Sequence, residues 1–343
     1  MGVKIRDLIK PKTIEYADLY NKILAVDAFN MLYQFITTIR QPDGSPLTDE
    51  NGKVTSHLIG LFYRLSNLIK MNMKLVFVFD GESPELKKQE RDRRKDLKSE
   101  AQRKYDEAKE AENVEGMKKY AGRTSVLTKE MIAEAKELIT ALGIPIVQAP
   151  SEGEAQAAHM VAQGDAYAVM SQDADSLLFG ASRVVRNLSI SQRRKKTSKI
   201  GYDKVLPELI TADDVFEDLQ ISKEQMIILG MLVGTDFNIG GIKGIGPKNA
   251  LKLVKEYEKR WDELFAHVEW SSFFDTEWKD VYRVFTEMPV NEDYDLSWSG
   301  VDGTEVKRIL VREHAFSDER VDKVLQDIGE SDIGKQKGLN DFF

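Results

Sequence analysis

Four short apolar runs in this chain lead, directly or within a few residues, to acidic side chains. Continuous apolar runs of this length are typical of buried strands in a parallel sheet, and ligands of such sheets bind beyond the carboxyl ends of the strands. We therefore expect the acids to converge at one edge of a sheet. The runs occupy residues 23–26, 75–79, 144–147 and 167–170. The acids that follow them are Asp27, Asp80, Glu152, Glu154, Asp173 and Asp175.

Helical stretches alternate with these runs. Residues 56–71 carry apolar side chains at helical spacing, and Thr128 is predicted to cap a helix that continues through Leu142. Ser151 is predicted to cap a further helix that ends before Gly164. This alternation predicts an α/β fold with a mostly parallel central sheet and helices on both faces.

The composition excludes several classes of site. The chain of 343 residues has no cysteine and only four histidines, which are scattered. Disulfides, thiolate chemistry and cysteine-based zinc sites are therefore excluded, and a histidine-based metal site is not expected. No apolar run approaches the roughly 18 residues of a membrane span, and the first residues lack a signal-peptide core. We expect a cytoplasmic protein without a membrane partner.

An acidic sheet edge of this kind suits hard cations. Mg²⁺ prefers oxygen ligands, and two such ions about 3.5–4 Å apart stabilise both the attacking and the leaving oxygen in phosphodiester cleavage. Asp236, which follows an apolar helix at 226–233, is a seventh candidate ligand. Any single Asp after a strand could instead form a turn or cap a helix. Because four separate strand ends carry acids, we favour the metal site for the whole set.

Basic residues form local blocks although the net charge is −8, and a nucleic-acid enzyme needs local positive potential rather than a positive total. Residues 83–129 contain few large apolar side chains and are predicted to form charged helices that project from the body. A solvated helix would explain these charges, but their position after an acidic strand end favours an arm that contacts phosphate. The residues predicted to contact DNA from one face of the arm are Lys87, Arg91, Arg94 and Lys98, and Lys88 beside this face is assigned to DNA contact as well.

Two further segments suit a DNA backbone. Residues 186–200 are predicted to form a hairpin with a basic tip, which either contacts phosphates or is a solvated loop. A glycine-rich turn joins two helical segments within residues 226–258, and its backbone could approach a phosphate, or it is a plain helix connection. The residues concerned are Arg193, Arg194, Lys195 and Lys196 in the tip, and Gly241, Gly244, Gly246 and Lys248 in the turn.

The last residues, 331–343, form a polar segment that ends in two aromatic side chains. Exposed terminal aromatics are expected to dock on a surface, either that of a partner or that of their own chain. The spacing Gln-x-x-Leu-x-x-Phe-Phe matches the box that binds DNA sliding clamps, so we predict a flexible tail that binds a clamp. The residues of this box are Gln336, Leu339, Phe342 and Phe343.

Over essentially its whole length the chain resembles the archaeal flap endonucleases of the XPG-type 5′ nuclease family. The resemblance implies a PIN-like fold, a single nuclease domain over residues 1–330, a helical gateway and cap over 83–129, and a helix-two-turn-helix element within 226–258. The segments that carry it are Val26-Asp27-Ala28, Val78-Phe79-Asp80-Gly81, residues 149–155, residues 171–175 and Gly234-Thr235-Asp236.

The resemblance also implies roles for individual residues. The seven carboxylates would hold two Mg²⁺ ions, for which Mn²⁺ could substitute, and Lys87 and Arg94 would contact the scissile phosphate. Tyr33 would stack on the terminal base pair near the cut, and the glycine-rich turn would hold K⁺ against a DNA phosphate. Gly2 and Arg40 are also assigned to the DNA-contact surface.

The function that we predict from the sequence is a monomeric, structure-specific 5′ flap endonuclease with 5′→3′ exonuclease activity. Its expected partners are flapped or nicked duplex DNA and the sliding clamp, and its expected setting is DNA replication, including Okazaki fragment processing, and repair at the nucleoid. Two alternatives stay open: a related 5′→3′ exonuclease with a relaxed end requirement, and a non-catalytic junction binder recruited by the clamp.

Overall fold

The structure, a computed structural model, describes Val3 and residues 5–188, 193–195 and 202–329. For residues 193–195 and 202–204 only the backbone is described. The predictions made for Gly2, Lys196 and the tail 331–343 therefore lie outside the described residues.

Seven of the described strands form one central sheet, in the order β1-β9-β6-β5-β2-β3-β4. The neighbours β4–β3, β3–β2, β2–β5 and β5–β6 pair in parallel, whereas β9 runs antiparallel to both β6 and β1. The predicted mostly parallel sheet is thereby confirmed. The strands are β1 (Lys12–Thr13), β2 (Ile23–Asp27), β3 (Lys74–Phe79), β4 (Ile146–Gln148), β5 (Ala168–Met170), β6 (Arg183–Arg186) and β9 (Glu208–Thr211), and a separate hairpin pairs β7 (Arg193–Lys195) with β8 (Tyr202–Lys204).

Helices cover both faces of the sheet, as the alternating pattern predicted. Successive side chains of a strand point to opposite faces, so Ala25 packs toward one apolar cluster and its neighbours Leu24 and Val26 pack toward another. The α-helices are α1 (Ala28–Thr38), α2 (Ser56–Lys70), α3 (Lys88–Glu110), α4 (Val114–Ala121), α5 (Lys129–Ala141), α6 (Gly153–Gln163), α7 (Ala212–Leu219), α8 (Lys223–Val233), α9 (Pro247–Tyr257), α10 (Trp261–His267), α11 (Trp278–Thr286), α12 (Gly303–Lys307) and α13 (Asp318–Gly329). Short 3₁₀ turns lie at Arg6–Leu8, Tyr16–Leu19, Glu85–Lys87, Gly122–Thr124, Asp175–Leu177 and Trp270–Ser272, and a π-helical turn lies at Arg308–Glu313.

The parallel register explains why the acids meet. Asp27 at the end of β2 lies opposite Val78 of β3, and Val26 lies opposite Met170 of β5. Because parallel strands all end at the same edge, the residues that follow β2, β3 and β5 emerge side by side. The convergence of the acids is thus a consequence of register rather than of any local sequence motif.

The segment predicted to project from the body forms the helix pair α3 and α4. The long helix α3 buries only Glu90, Ala101 and Ala108, in keeping with its low apolar content. At the base of the pair, the Arg40 guanidinium donates to the Gly44 carbonyl at 2.8 Å and also to the Ser125 hydroxyl. Arg40, which was predicted to bind DNA, therefore has partners within the protein.

Two local predictions were wrong in detail. The cap of α6 is Glu152 rather than Ser151, whose hydroxyl instead donates to the Glu82 carbonyl at 2.8 Å. Three of the residues predicted for the tip of the basic hairpin, Arg193, Arg194 and Lys195, lie instead in the strand β7. No helix in the described part of the chain is long and apolar enough to cross a membrane.

Candidate nuclease active site

A cavity of about 890 Å³ lies beyond the carboxyl end of the sheet. It is bounded on one side by the sheet edge and on the other by α3, whose basic side chains also line it. The predicted convergence is therefore present in the structure, and it includes Asp236 from beyond the sheet. The acidic residues that line the cavity are Asp27, Asp80, Glu152, Glu154, Asp173, Asp175 and Asp236, together with Glu100 of the arm.

Asp27 and Asp173 are linked through a side chain that the sequence analysis did not identify. Asp27 Oδ1 accepts from the backbone N–H of Asn30 at 3.0 Å, which caps α1. The Asn30 amide in turn donates to Asp173 Oδ2 at 2.9 Å. Ser171 donates to the other Asp27 oxygen at 3.2 Å, so both carboxylates are held in place by neighbouring donors.

Three further acids lie at the N-terminus of α6. Asp80 Oδ1 accepts from the Gly153 N–H at 2.8 Å, and a Cβ at residue 153 would lie only 2.5 Å from that oxygen. Glycine is therefore required where the Asp80 carboxylate packs against the backbone. Glu152 caps this helix end and Glu154 lies in its first turn, where the positive end of the helix dipole favours negative charge.

The two remaining acids come from loops. Asp175 begins a 3₁₀ turn, and its Oδ1 accepts from the Val3 N–H at 2.7 Å, which brings the start of the chain to the site. Asp236 lies in the turn between Thr235 and Asn238, where the Asn238 side chain accepts from the Thr235 hydroxyl at 2.6 Å.

Burial and mutual repulsion change the protonation of the cluster. Burial, with the Asp80 charge second, raises the pKa of Asp27 to about 7, and burial with the Asp173 charge raises the pKa of Asp175 to about 7. Burial and the Glu152 charge raise the pKa of Asp80 to about 6. Burial, followed by the Asp175 and Asp27 charges, raises the pKa of Glu154 well above its ordinary value. Such crowding of acids is stable only with protons or cations among them.

Two cations from the arm contact the cluster directly. Lys87 Nζ lies 2.5 Å from Glu152 Oε2 and 3.4 Å from Asp236 Oδ2. Arg94 Nη2 lies 2.7 Å from the same Asp236 oxygen. Burial alone would lower the pKa of the Lys87 ammonium, but Glu152 and Asp236 outweigh it and raise that pKa. The arm therefore directs two permanent positive charges at the acidic edge.

A buried carboxylate on the arm itself holds Arg94. Glu90 accepts from Arg93 Nε at 2.6 Å and from Arg93 Nη2 at 2.8 Å, and it also accepts from Arg94 Nε at 2.6 Å. Burial would raise the pKa of Glu90, but these hydrogen bonds outweigh it and hold the pKa below its usual value. In the sequence this residue looked like one of several acids interleaved with the basic side chains of a solvated helix.

The other predicted DNA-contact residues of the arm differ in position. Lys98 Nζ lies 3.4 Å from the Tyr33 hydroxyl and 5.0 Å from the centre of its ring, and both residues line the cavity. Lys88 and Arg91 are exposed and do not line the cavity. The structure thus brings Lys98 and Tyr33 to the site, but not Lys88 or Arg91.

The glycine-rich turn joins α8 to α9 as predicted. Gly241 and Gly244 have φ of 61° and 87°, values that favour glycine. An added Cβ at residue 241 would lie 2.3 Å from the Val233 carbonyl carbon, whereas at 244 it would meet nothing within 4 Å. Gly246 caps α9, and Lys248 is exposed in the first turn of that helix. The turn therefore presents open backbone and the positive end of a helix on one surface.

The donor set fits hard divalent cations, because all seven predicted ligands are carboxylates, and burial together with the charges of neighbouring acids raises the pKa of four of them. Within the described residues, no three acidic or histidine side chains are already grouped tightly enough to hold one ion between them. Lys87 and Arg94 make contacts with Glu152 and Asp236 that metal ligation would replace. The chemistry of the site therefore matches, and its geometry requires rearrangement of the side chains.

Two family models match the segments of the chain that contain these residues. The model of the XPG N-terminal domain matches residues 1–101, and that of the XPG I-region matches residues 143–236. Together these segments carry all seven carboxylates as well as Lys87 and Arg94. The chain belongs to the XPG-type flap endonuclease family. Flap endonuclease 1 of Hyperthermus butylicus is 48% identical over 350 residues, which covers 99% of each chain. Flap endonuclease 1 of Pyrococcus furiosus is 46% identical over 344 residues, which covers 100% of this chain and 99% of that one.

Solved structures of the family have the same architecture. The flap endonuclease-1 structure from Methanococcus jannaschii superimposes with a TM-score of 0.76 at 40% identity, covering 98% of this chain and all of that one. The catalytic core of Rad2 in complex with DNA substrate gives a TM-score of 0.67 at 22% identity, covering 94% of this chain and 97% of that one. The similarity to Rad2, at 22% identity, concerns the fold alone. The predicted family and PIN-like fold class are confirmed.

The sequence analysis did not identify the residues that orient the acids through hydrogen bonds. Asn30, Ser171 and Val3 each donate a hydrogen bond to a carboxylate of the cluster. The position of Asn30, three residues after Asp27, is a signal that could have been used, because the third residue of a helix faces its cap. The Val3 contact comes from backbone and leaves no trace in residue type.

Proposed function

We propose that this chain is a structure-specific nuclease that cleaves DNA where a single-stranded 5′ flap joins a duplex. The observation that carries the proposal is that seven carboxylates and two arm cations meet in one cavity. The similarity to archaeal flap endonucleases over the full length of this chain supports the same substrate class. We also expect 5′→3′ exonuclease activity, because a flap of zero length offers the same junction.

The carboxylate cluster is proposed as a site for two Mg²⁺ ions, with Mn²⁺ as a substitute. Divalent ions held there would stabilise the attacking and leaving oxygens of an in-line displacement at phosphorus. Asn30 and Ser171 would keep Asp27 and Asp173 in position, and the Gly153 N–H would do the same for Asp80. Deprotonation of the acids with raised pKa would accompany metal binding.

Lys87 and Arg94 are proposed to contact the scissile phosphate. Both lie at the boundary between arm and cluster, so a phosphate entering between them would replace carboxylate oxygens with phosphate oxygens as their partners. Charge that develops on the phosphate during displacement makes these contacts stronger in the transition state than in the ground state. This difference lowers the activation barrier. The flap would pass beneath α3 and α4, beside Tyr33, which is proposed to stack on the terminal base pair.

Duplex contacts are proposed at two surfaces away from the cluster. The turn around Gly244 and Gly246 offers open backbone next to the N-terminus of α9, and Lys248 adds a positive charge. Carbonyls of this turn are the proposed ligands of a K⁺ ion that bridges to phosphate. The hairpin of β7 and β8 is the second surface. Both suit backbone contact, which recognises shape rather than sequence.

The wider setting is also a proposal. We retain the prediction of one nuclease domain over residues 1–330 that acts as a monomer, with residues 331–343 recruiting it to a sliding clamp during replication and repair at the nucleoid. Deletion of residues 336–343 should abolish stimulation of cleavage by the clamp and leave basal cleavage intact. Unchanged stimulation would contradict this role of the tail.

A cleavage assay tests the main proposal. Labelled flap, blunt duplex and single strand are each incubated with the protein, in Mg²⁺ and in EDTA. We expect Mg²⁺-dependent cleavage that is strongest on the flap. Absence of Mg²⁺-dependent cleavage on every substrate would contradict an enzyme and favour a junction binder, and equal rates on flap and blunt ends would favour the related exonuclease.

A further inference from the structure

Glu90 differs from every other acid that pairs with a basic residue along α3. Its side chain is only 3% exposed, whereas Glu100 and Glu107, which pair with Lys104 and Arg103 four residues away, are 51% and 58% exposed. Exposed ion pairs such as those of Glu100 and Glu107 contribute little to the stability of the fold and are common on charged helices. A carboxylate so deeply buried on a projecting, charged helix calls for a specific partner, and its partners are Arg93 and Arg94.

The contacts of Arg94 fix the direction of its guanidinium. Its Nε donates to Glu90 at 2.6 Å, and its Nη2 donates to Asp236 at 2.7 Å. These bonds use two of the five N–H donors of a guanidinium, and the planar group cannot rotate without breaking one of them. One end is therefore anchored on the arm and the other points into the cavity. The remaining donors can contact phosphate oxygens in a bidentate manner.

The presence of Arg93 explains why Arg94 needs the Glu90 carboxylate. It is the chain neighbour of Arg94 and carries the same charge, and both guanidinium groups converge on one carboxylate. Without Glu90 the two cations would repel each other, and the ion pair of Arg94 with Asp236 would remain. An arginine held only by Asp236 would stay with that carboxylate instead of turning toward a phosphate.

We propose that Glu90 is a positioning residue for cleavage. It would orient Arg94 toward the scissile phosphate, while Arg93 balances the negative charge of Glu90. This inference rests on the proposed nuclease function. Glu90 itself would touch neither DNA nor metal, and its effect would pass entirely through Arg94. A residue that acts in this way should change the rate of the cleavage step and leave flap affinity nearly unchanged.

A double-mutant cycle tests the proposal. The variants are Glu90→Gln, Arg94→Ala and the combination of both, with Glu107→Gln as the control for loss of an exposed acid on the same helix. Single-turnover cleavage of a labelled flap is measured in Mg²⁺, and flap affinity is measured in EDTA. If Arg94→Ala slows cleavage by about 10²–10³-fold, Glu90→Gln should slow it by about 10-fold or more.

The decisive comparison is made in the Arg94→Ala background. There we expect Glu90→Gln to have no further effect, because residues that act as a unit are not additive. A normal rate for Glu90→Gln would overturn the proposal, and so would an equal loss in both backgrounds, since that indicates general support of the helix. If Glu90→Gln fails to fold, Glu90→Asp replaces it in the same double-mutant cycle. Failure of the wild-type protein to cleave would overturn the proposed function and this inference together, whereas the other two contrary results overturn this inference alone.

Discussion

Lys87 Nζ lies 2.5 Å from Glu152 Oε2, so an ammonium of the arm is paired with a carboxylate at the N-terminus of α6. The side chains of the two residues are only 15% and 6% exposed. Burial would lower the pKa of the Lys87 ammonium, but the charges of Glu152 and Asp236 outweigh it and raise that pKa, so the charged form of the lysine is favoured. The arm therefore contacts the acidic edge of the sheet through this ion pair, in addition to the chain connection that follows β3.

We expect Lys87→Ala to slow single-turnover flap cleavage by about 10²–10³-fold while flap affinity changes by less than about threefold. The reason is that the ammonium acts on charge that develops at the phosphate, which the ground state does not yet carry. The matched control is Lys88→Ala, because Lys88 is the next residue but is largely exposed and pairs with Glu85. An effect of Lys87→Ala on affinity alone, or equal effects of the two variants, would contradict the role of Lys87.

Stability without metal should rise when one acid of the cluster is neutralised. The pKa of Glu154 is raised, so its charged form destabilises the fold, and this cost grows as the pH rises from the unfolded pKa toward the folded one. Glu154→Gln should therefore raise the free energy of unfolding by on the order of 1–2 kcal/mol at pH 8 in EDTA, and by less at pH 5. Denaturant titrations at both pH values measure the difference.

Added Mg²⁺ provides the converse measurement for Glu154→Gln. An ion that binds only the folded protein stabilises it, so Mg²⁺ should stabilise the wild type more than the variant. The exposed Glu107→Gln serves as the control and should respond to neither pH nor Mg²⁺ differently from the wild type. A gain in stability for Glu154→Gln that is the same at pH 5 and pH 8 would show that charge repulsion is not its cause.

The sequence predicts the acids of the site well because their convergence needs only parallel strands in register. When an apolar strand of a parallel sheet ends at Asp27 or just before Asp80, the carboxylate lies at the carboxyl edge of the sheet. Exact helix caps are harder to predict. Ser151 and Glu152 are adjacent, and the structure places Glu152 at the N-cap position without a side-chain capping hydrogen bond, while the Ser151 hydroxyl donates to the Glu82 carbonyl.

Contacts between distant parts of the chain could not be predicted in the same way. Glu90 looks solvated in the sequence because neighbours on its own helix do not reveal that the helix leans toward Asp236. His57 and His314 look scattered, yet both lie beside Glu134, with distances of 3.2 Å from His57 Nε2 and 3.5 Å from His314 Nε2. Packing of α2 and the C-terminal helices against α5 brings them together.

DNA binding should show the contribution of the glycine-rich turn through its salt dependence. A side chain that neutralises one phosphate releases about one counterion, so Lys248→Ala should weaken duplex affinity and reduce the slope of log affinity against log salt by about 1. Lys255→Ala is the matched control, because Lys255 is exposed in the last turn of the same helix. The measurement is flap-duplex affinity in EDTA at several salt concentrations. Equal slopes for the wild type and Lys248→Ala would remove this residue from the interface.

Acid stability should depend on the histidine contacts that join three parts of the fold. His314 Nδ1 lies 3.0 Å from Asp49 Oδ2, and both side chains are only 1% exposed. Burial would raise the pKa of Asp49, but hydrogen bonds from the Lys53 N–H and from His314 outweigh it and hold that pKa low. The His57 hydrogen bond holds the pKa of Glu134 low as well. Carboxylates with lowered pKa stabilise the fold above their unfolded pKa, and this stability is lost as the pH falls through the folded pKa.

His314→Gln should therefore lower the melting temperature at pH 7 by about 2–4 °C, because Asp49 loses a buried partner. The same variant should lose less stability than the wild type as the pH falls below about 4, since its carboxylates titrate closer to their ordinary values. His267→Gln is the control, because His267 is exposed at the end of α10 and packs beside Tyr257. Calorimetry from pH 3 to pH 7 measures all three proteins. Parallel pH profiles for the wild type and His314→Gln would show that the Asp49 contact does not contribute to acid stability.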